Sequence, residues 1–359
     1  MKCKLGKKKR KVGVYHFCTY FDRNYLLRGL ALHRSLKRHA GEFRLHLLCL
    51  DDEAYRTLRR LAIPEIDPIP LAALEAADPQ LLAVKPSRSM VEYYFTCTAS
   101  FQRYLLDRYP DIDLLTYLDA DLYFFDDPAP IFGELGDDSI LIVGHRFPEH
   151  LRHLEIFGIY NVGLLIFRND AAGRSCLDWW RERCIEWCHD RLEDGKFGDQ
   201  KYLDDWPERF DRVVVLRHKG ANLAPWNISG FTIHEENGKV MVDDDPLIFY
   251  HFHKLKIVSP NIYDTGLTDR RAALHRTIRR RIYLPYLLEL RKLMAEAGTS
   301  AMGSIRRAPA MRLRDHLRLI VAHKMIMILG PFAAGLNLEP IVRPLMAARR
   351  KFKMMNDEL

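Results

Sequence analysis

The 359-residue sequence lacks any uninterrupted run of about 18 apolar residues, the length that a membrane-spanning helix requires. Its most apolar stretch, residues 319–336, is broken by a His-Lys pair and by a Gly-Pro pair. The basic residues 2–11 are not followed by an apolar segment with a small-residue cleavage site, so we expect no secretory signal peptide. These absences argue against a membrane-spanning or secreted protein and predict a cytoplasmic location.

Cysteine is scarce, and its number is odd: the chain has seven, several of them within apolar runs. This pattern is typical of reduced, buried thiols and argues against a disulfide framework. Cys184 and Cys188 lie four residues apart beside His189, which leaves a zinc site as an alternative, although no second pair of ligands is evident.

Basic residues are outnumbered in the middle of the chain and concentrated at its ends. Residues 12–269 contain 29 Lys or Arg and 41 Asp or Glu. Residues 2–11 contain seven Lys or Arg and no Asp or Glu, and residues 270–359 contain 19 Lys or Arg and 6 Asp or Glu. An acidic body with two basic ends gives the net charge of +8. Basic ends bind anionic surfaces, either nucleic acid or the inner face of a membrane.

Apolar runs with strand and helix periodicity alternate along the chain, which predicts a sheet with helices on both faces. The predicted strands are residues 12–18, 43–50, 64–70, 113–118, 139–144, 159–167, 213–216 and 245–252, and the predicted helices are residues 24–39, 51–61, 91–109, 170–192 and 283–297. We therefore divide the chain into a basic leader (1–11), an α/β domain (12–262) and a basic helical extension (263–359).

The most informative stretch is Asp119-Ala120-Asp121, which lies between the apolar runs 114–118 and 122–125. Residues i and i+2 of an extended chain point to the same side, so the two carboxylates face one point at the edge of a sheet. Hard divalent cations such as Mg²⁺ and Mn²⁺ take oxygen ligands and bridge to substrate phosphates. A solvated acidic turn is the alternative, and the flanking apolar runs favour a metal site.

Two further polar pairs lie near the starts of predicted elements. Asn161 and Gly163 open a predicted strand, where Asn can orient a hydroxylated ligand and Gly admits a ligand close to the backbone. A β-bulge is the alternative. Asp199 and Gln200 follow Gly198 and would present a carboxylate and an amide to a sugar, with an ordinary helix N-cap as the alternative.

A basic and aromatic stretch ends the last predicted strand of the body. Alternation places His251 and His253 on one face, and an imidazole beside two carboxylates is a suitable third ligand for Mn²⁺. Lys254 and Lys256 follow and are candidates for neutralising phosphate charge. A strand edge with basic residues is the alternative.

In this order, these residues resemble the GT-A glycosyltransferases, in particular the retaining enzymes of the glycogenin and bacterial lipooligosaccharide galactosyltransferase type, glycosyltransferase family 8. The resemblance covers about residues 12–256. It implies an α/β, Rossmann-like nucleotide-diphospho-sugar transferase fold with a mixed central sheet, to which the sequence adds a helical C-terminal extension.

The resemblance also implies roles for individual residues. Asp119, Asp121 and His251 match the family's ligands for Mn²⁺, with Mg²⁺ as the alternative ion, which holds the diphosphate of a UDP-sugar. The positions that match catalytic groups at the reaction centre are Asn161, Asp199 and Gln200. The positions that match contacts to the donor are Thr19, Tyr20, Arg88, Ala120, Gly163 and either Lys254 or Lys256.

The sequence departs from the family pattern in two places. His251-Phe252 is kept, but the Gly, Lys-Pro and Trp that follow in the family are replaced from His253 onward, so the phosphate lysine is open. Residues 96–98 replace a lysine of the long helix. A retaining reaction needs no obvious protein base and leaves Asp199 to stabilise the transition state, whereas an inverting one would need Asp199 or another carboxylate as the base.

The implied function is that of a metal-dependent hexosyltransferase, which moves a sugar from a UDP donor to a glycan or lipid-linked acceptor in polysaccharide biosynthesis. One alternative is a nucleotidyltransferase of similar α/β fold, which usually has a Gly-rich basic loop after the first strand, whereas residues 17–24 contain neither Gly nor Lys. The other is a non-catalytic, basic-tailed nucleic-acid-binding protein. The acidic body argues against it, so we expect no nucleic acid partner.

The basic C-terminal region suggests contact with a membrane surface. Residues 312–355 combine basic clusters with Met, Ile and Leu. Such segments bind anionic lipid with on the order of 1 kcal/mol per basic residue. Our hypothesis is a peripheral enzyme on the inner face of the cytoplasmic membrane, and the alternative is an extension that packs on the body.

Overall fold

The computed structural model describes residues 13–267, 274–301, 326–329 and 335–337. The basic leader 1–11 lies outside these ranges, and so does most of the basic segment 312–355. The hypotheses that rest on those segments stay predictions.

The described residues form strands and helices in alternation along the first half of the chain. The strands are β1 (Tyr15–Phe21), β2 (Phe43–Cys49), β3 (Ile66–Pro70), β4 (Leu114–Leu118), β5 (Leu122–Phe124), β6 (Ile140–Gly144), β7 (Tyr160–Arg168), β8 (Val213–Leu216), β9 (Ile233–Glu236), β10 (Lys239–Val242), β11 (Asp245–Pro246), β12 (Phe249–His251), β13 (Lys256–Ser259), β14 (Ile262–Asp264), β15 (Ile326–Leu329) and β16 (Gly335–Asn337). The helices are α1 (Leu26–His39), α2 (Asp52–Leu61), α3 (Leu71–Ala77), α4 (Pro79–Val84), α5 (Met90–Arg108), α6 (Ala129–Leu135), α7 (Ala171–Glu186), α8 (Trp206–Arg209) and α9 (Leu284–Ala301).

A seven-stranded sheet in the order β3-β2-β1-β4-β7-β6-β8 forms the centre of the molecule. Its neighbouring strands pair in parallel except at β7, which runs antiparallel to both β4 and β6. The carboxyl ends of β1, β4 and β6 therefore lie at the same edge as the amino end of β7. This arrangement confirms the predicted α/β fold with a mixed central sheet.

The sheet is buried on both faces. Along β7, Leu164 and Ile166 pack into one apolar core, while Leu165 and Phe167 pack into the other. Helices α1 and α9 contribute to the first core, and α5 and α7 contribute to the second. Burying each such side chain contributes about 1.5–3 kcal/mol, which explains the nearly continuous apolar runs of the central strands.

Helix α9, from the predicted extension, packs on the body in the described part of the chain. The carboxylate of Glu289 accepts hydrogen bonds from Arg34 and Arg38 of α1, both at 2.9 Å. The ring of Tyr286 stacks on Phe252 with 3.8 Å between ring centroids. These contacts join α9 to the strand end that carries His251, whereas the domain boundaries themselves stay a prediction.

Three predicted elements differ from the observed ones. The first strand continues to Phe21, because its pairing with β2 continues as far as Cys49. The predicted helix 170–192 ends at Glu186, since the backbone becomes extended at Trp187. The predicted strand 245–252 is two strands, because β11 pairs with β10 while β12 pairs with β5 in another sheet.

No helix among the described residues is both long and apolar enough to span a bilayer. The six cysteines in the described ranges are unpaired and buried. Their burial in the sheet cores agrees with the predicted reduced thiols.

The packing of α7 on the sheet can be tested at Gly173, because a Cβ at this position would lie 2.2 Å from the backbone oxygen of Arg168. We expect Gly173→Ala to lower the free energy of unfolding in urea by about 1–3 kcal/mol. Gly133→Ala is the matched control, since Gly133 also lies in a helix and a Cβ there would meet nothing within 4 Å. That variant is expected to be unchanged or stabilised by up to about 1 kcal/mol. Equal losses in both variants would contradict the packing argument.

Candidate active site

The acidic pair lies in the turn between β4 and β5, at the edge of the central sheet. The backbone N–H of Asp119 donates to the oxygen of Gly163 at 3.0 Å, and the N–H of Phe252 donates to the oxygen of Asp121 at 3.0 Å. In the β5–β12 pair, His251 is the partner of Leu122, the residue directly after Asp121. Strand pairing therefore brings His251 to the two carboxylates from far along the chain.

The three predicted metal ligands form one compact group. The His251 Nε2 atom lies 3.1 Å from Asp121 Oδ1 and 3.6 Å from Asp119 Oδ2. One ligand atom from each residue lies within 4.8 Å of the others. The Asp119 side chain is 32% exposed, compared with 10% for Asp121 and 3% for His251, so the group opens to solvent on the Asp119 side. Tyr117 orients Asp119 through a 2.8 Å hydrogen bond from its hydroxyl to Oδ1.

Charges in this group shift one another's pKa values. Burial acts to raise the pKa of Asp121, but the charge and hydrogen bond of His251 outweigh it and hold that pKa at about 2. Burial and the charge of Asp121 raise the pKa of Asp119, although His251 opposes them. The carboxylates in turn outweigh burial and raise the pKa of His251. The proton of the imidazole thus offsets part of the negative charge of the two carboxylates. A set of two carboxylates and one imidazole also fits Mn²⁺ or Mg²⁺.

A cleft of about 810 Å³ opens beside the acidic pair, at the edge where β1, β4, β6 and β7 meet. This is the position at which α/β sheets commonly bind ligands. The predicted site residues among its lining are Tyr20, Asp119, Ala120, Asp121, Asn161, Asp199, Gln200, His251 and Lys254. The cleft therefore brings together most of the residues that the sequence singled out.

Asn161 and Gln200 form a hydrogen-bonded pair in the cleft wall. The Asn161 Nδ2 donates to Gln200 Oε1 at 3.2 Å, and the Asn161 Oδ1 accepts from the N–H of Gly163 at 3.1 Å. The Gln200 Nε2 donates to the oxygen of Phe157 at 3.2 Å. The two amides are thus fixed with respect to each other and to the backbone.

Asp199 is a buried carboxyl group beside this pair, with only 6% of the residue exposed. Burial is the main cause that raises the pKa of Asp199 to about 7, and the charge of Asp119 adds to it. A hydrogen bond with Thr98 acts in the opposite direction and lowers the pKa. The indole N–H of Trp180 donates to its backbone oxygen at 2.8 Å and holds this segment against the second core. Asp199 is therefore partly protonated near neutral pH.

Gly163 makes room for two neighbouring side chains in the structure. A Cβ at this position would lie 2.6 Å from Asn161 Oδ1 and 2.9 Å from His251 Cε1. The missing side chain therefore lets Asn161 and His251 pack side by side. Gly163 does not itself line the cleft.

The structure distinguishes the two lysine candidates. Lys254 lines the cleft from a turn in which its backbone takes a φ of 60°. Gly266 packs under that turn, since a Cβ there would lie 2.9 Å from the oxygen of His253. Lys256 is exposed in β13, opposite Asp264, and does not line the cleft.

The predicted nucleotide contacts are divided between the cleft and its surroundings. Tyr20 lines the cleft, but its hydroxyl is bound to Thr98 Oγ1 at 3.1 Å. Thr19 is completely buried and does not line the cleft. Arg88 lies outside the lining and binds His189 Nε2 at 2.9 Å and the oxygen of Ile185 at 3.1 Å.

Three lining residues were missed or left open by the sequence analysis. Tyr25 is the last residue of a short 3-10 helix after β1 and is 41% exposed. Trp226, a loop aromatic for which the sequence left pocket lining and core packing open, lines the cleft and packs edge-on against His251 with 5.0 Å between ring centroids. His145 is the first residue after β6 and lies in the cleft wall. An aromatic or imidazole group just after a strand end is the only sequence signal that marks Tyr25 and His145.

The alternative zinc site finds no support among the described residues. Cys184 and Cys188 are buried in the second core, while the His189 ring binds Glu92 at 3.0 Å and Arg88 at 2.9 Å. In the part of the chain that the structure describes, the group with metal-ligand geometry is Asp119, Asp121 and His251.

Comparisons with known proteins give two relatives and several solved structures, whereas no protein-family model matches the sequence. The uncharacterized protein YfnF of Bacillus subtilis (strain 168) is 36% identical over 265 residues, which cover 70% of this chain and 87% of YfnF. The uncharacterized protein YfnD of the same strain is 32% identical over 288 residues, which cover 79% of this chain and 91% of YfnD.

Among solved structures, the galactosyltransferase LgtC in complex with donor and acceptor sugar analogues has a TM-score of 0.47 and 18% identity, covering 78% of this chain and 96% of LgtC. The glycosyltransferase GlyE of Streptococcus pneumoniae TIGR4 has a TM-score of 0.44 and 17% identity, covering 79% of this chain and 64% of GlyE. Mouse xyloside xylosyltransferase 1 has a TM-score of 0.44 and 16% identity, covering 67% of this chain and 98% of that protein.

The metal site can be tested without any substrate. We expect Mn²⁺ to bind the purified protein and Asp121→Asn to weaken that binding by more than about tenfold, since loss of a direct ligand exceeds the usual effect of an outer partner. Isothermal titration calorimetry measures both affinities. Asp190→Asn is the matched control, because Asp190 is an exposed carboxylate that lines the same cleft outside the three-residue group. Identical affinities in the two variants would refute the assignment.

Proposed function

We propose that this chain, which belongs to the same family as the Bacillus subtilis proteins YfnF and YfnD, is a metal-dependent glycosyltransferase. It would move a sugar from a nucleotide-diphosphate donor, a UDP-sugar, to a glycan or lipid-linked acceptor. The observation that carries the proposal is the group of Asp119, Asp121 and His251 at the edge of a cleft of about 810 Å³. Lys254 lines the same cleft.

The charged groups of the cleft suit a diphosphate leaving group. Mn²⁺ or Mg²⁺ held by the three ligands would neutralise the charge that develops on the departing diphosphate. Among the described residues that line the cleft, Lys254 is the one Lys or Arg. Its side chain supplies a second positive charge and replaces the family's lysine, although the surrounding sequence differs.

The nucleoside would bind at the end of the cleft formed by β1 and the start of α1. Asp22, Tyr25 and Leu50 line this end. The guanidinium of Arg28 lies over one face of the Tyr25 ring, 4.4 Å from its centroid, so the other face is the one that would stack on a base. The hydroxyl of Tyr20 is already bound to Thr98. We therefore propose Tyr25 as a base contact in addition to Tyr20.

The sugar would lie beside Asn161, Asp199 and Gln200, whose amide and carboxyl groups can bind hydroxyl groups. A pKa of about 7 would suit a general base, but the position of Asp199 does not suit that role: the carboxyl is buried and bound to Thr98, away from the hydroxyl of an entering acceptor. Retention of configuration, in which no such base is required, is therefore the outcome that we propose. The remaining contribution to rate is the positioning of donor and acceptor.

The proposed location is the cytoplasm, at the inner face of the membrane. Helix α9 is occupied by its packing on α1, so the lipid contact would come from the basic residues beyond it. This part of the proposal rests on composition.

The test of the proposed function is a panel of UDP- and GDP-sugars with Mn²⁺, with turnover followed by nucleotide release. We expect release from one or more UDP-sugars, loss of release on removal of the metal by a chelator, and an α-linked product from an α-linked donor in the NMR spectrum. Asp121→Ala is expected to abolish turnover while the unfolding transition of the protein is preserved. Activity of this variant near the wild-type level would reject the function.

Lys254 and Lys256 provide a matched pair of variants two residues apart. We expect Lys254→Ala to lower kcat/KM by about tenfold or more, because a positive charge that would face the departing diphosphate is lost from the cleft. Lys256→Ala should leave kcat/KM within about twofold, since its side chain lies outside the cleft. The reverse order of effects would assign the phosphate contact to Lys256.

A further inference from the structure

His145 is a buried imidazole in the cleft wall to which the proposed reaction assigns no role. It is 7% exposed, and its ring lies between Phe147, stacked at 4.8 Å, and Trp226, edge-on at 5.3 Å. Its backbone oxygen accepts hydrogen bonds from Trp226 Nε1 at 3.0 Å and Asn227 Nδ2 at 2.9 Å. Both the ring and the backbone of His145 are therefore held in place.

The hydrogen bonds around Asn161 determine which nitrogen of His145 accepts. The N–H of Gly163 donates to one atom of the Asn161 amide at 3.1 Å, so that atom must be the oxygen. The other atom is then Nδ2, which can only donate. It lies 3.3 Å from His145 Nε2 and 3.2 Å from Gln200 Oε1, and its two protons match these two acceptors.

His145 must then be neutral, with an unprotonated Nε2. Burial favours the neutral form and lowers the pKa of His145 to about 3, although the carbonyl groups of Ile159 and Gly158 act to raise that pKa. The proton lies on Nδ1, which meets no acceptor at bonding geometry among the described residues. An imidazolium at this position would instead place two N–H groups against each other.

The same chain of bonds fixes the amide of Gln200. Its Oε1 accepts from Asn161, and its Nε2 donates to the oxygen of Phe157 at 3.2 Å. A Cβ on Gly158 would lie 3.2 Å from Gln200 Nε2, so the amide occupies the space that a side chain at this position would need. The orientation of the Gln200 amide therefore depends on Asn161, and that of Asn161 on an acceptor at His145.

We propose that His145 is a positioning residue whose neutral Nε2, as a hydrogen-bond acceptor, sets the amide orientation of Asn161 and, through it, that of Gln200 at the sugar end of the cleft. The proposal rests on the proposed function for its catalytic consequence. The hydrogen-bond pattern itself is a property of the protein without substrate.

Loss of this acceptor has a specific expected effect on turnover. Asn161 would have an unpaired N–H and could rotate, and the Gln200 amide would no longer be held in one orientation. The proposed contacts to the diphosphate and the nucleoside, Lys254 and Tyr25, do not include His145, so the affinity for the donor is expected to change little. An interaction that is needed chiefly at the reaction centre lowers kcat more than it raises KM.

Two variants separate the acceptor from the packing of the ring. His145→Gln retains an oxygen acceptor at about the reach of Nε2, whereas His145→Met fills similar space without a comparable acceptor. With the UDP-sugar that the panel identifies, we expect His145→Met to lower kcat by about tenfold or more, with KM and the Mn²⁺ affinity within about twofold. His145→Gln is expected to recover most of kcat. Equal losses of kcat in both variants, or losses that follow the unfolding temperature, would overturn the proposal.

A spectroscopic measurement decides the hydrogen-bond pattern independently of turnover. In the metal-free protein, the ¹⁵N chemical shifts of His145, assigned from the spectrum of His145→Gln, should show an unprotonated Nε2 and a protonated Nδ1 at neutral pH. The Asn161 side-chain amide signal, assigned with Asn161→Asp, should shift in His145→Met and stay near its position in His145→Gln. A protonated Nε2 would overturn the proposal even if the protein is an active glycosyltransferase. The predicted tautomer in a protein that is inactive on every donor would instead refute the proposed function alone.

Discussion

The candidate active site depends on the short antiparallel pairing of β5 with β12. Three residue pairs join these strands, and the last of them places His251 opposite Leu122, one residue after the acidic turn. The N–H of Phe252 then closes the ladder on the oxygen of Asp121. This pairing brings the backbone of His251 to the acidic turn, which is itself fixed to β7 through Gly163.

Burial makes the charges of this group interdependent. Removing a charge from water costs several kcal/mol, so buried charges need partners. Here two carboxylates face one imidazole, and their pKa shifts express the compensation: the pKa of His251 is raised and that of Asp121 is lowered. In the protein alone, a proton on His251 supplies the balancing charge. A divalent cation, which would enter from the exposed side of Asp119, would replace that proton.

The part of the cleft proposed to hold the sugar is organised mainly by two amides and an imidazole. Asn161 connects His145 to Gln200, and the absence of a side chain at Gly163 allows Asn161 to lie next to the ring of His251. The metal group and the amides are therefore in contact at one glycine.

The sequence by itself determined the α/β fold and a metal-site candidate at Asp119 and Asp121, because strand alternation and apolar runs are local properties of the chain. Asn161, Asp199, Gln200 and His251 each had a structural alternative and became site candidates through the resemblance to the GT-A family. Only the tertiary structure decided which neighbours face the cleft: Lys254 instead of Lys256, Tyr25 in addition to Tyr20, and His145, while Arg88 is held outside. These choices depend on a turn at Lys254 with positive φ, on the continuation of β1 to Phe21 and on packing between distant segments. Such features arise from contacts across the sheet, and the pattern of residues along one segment does not contain them.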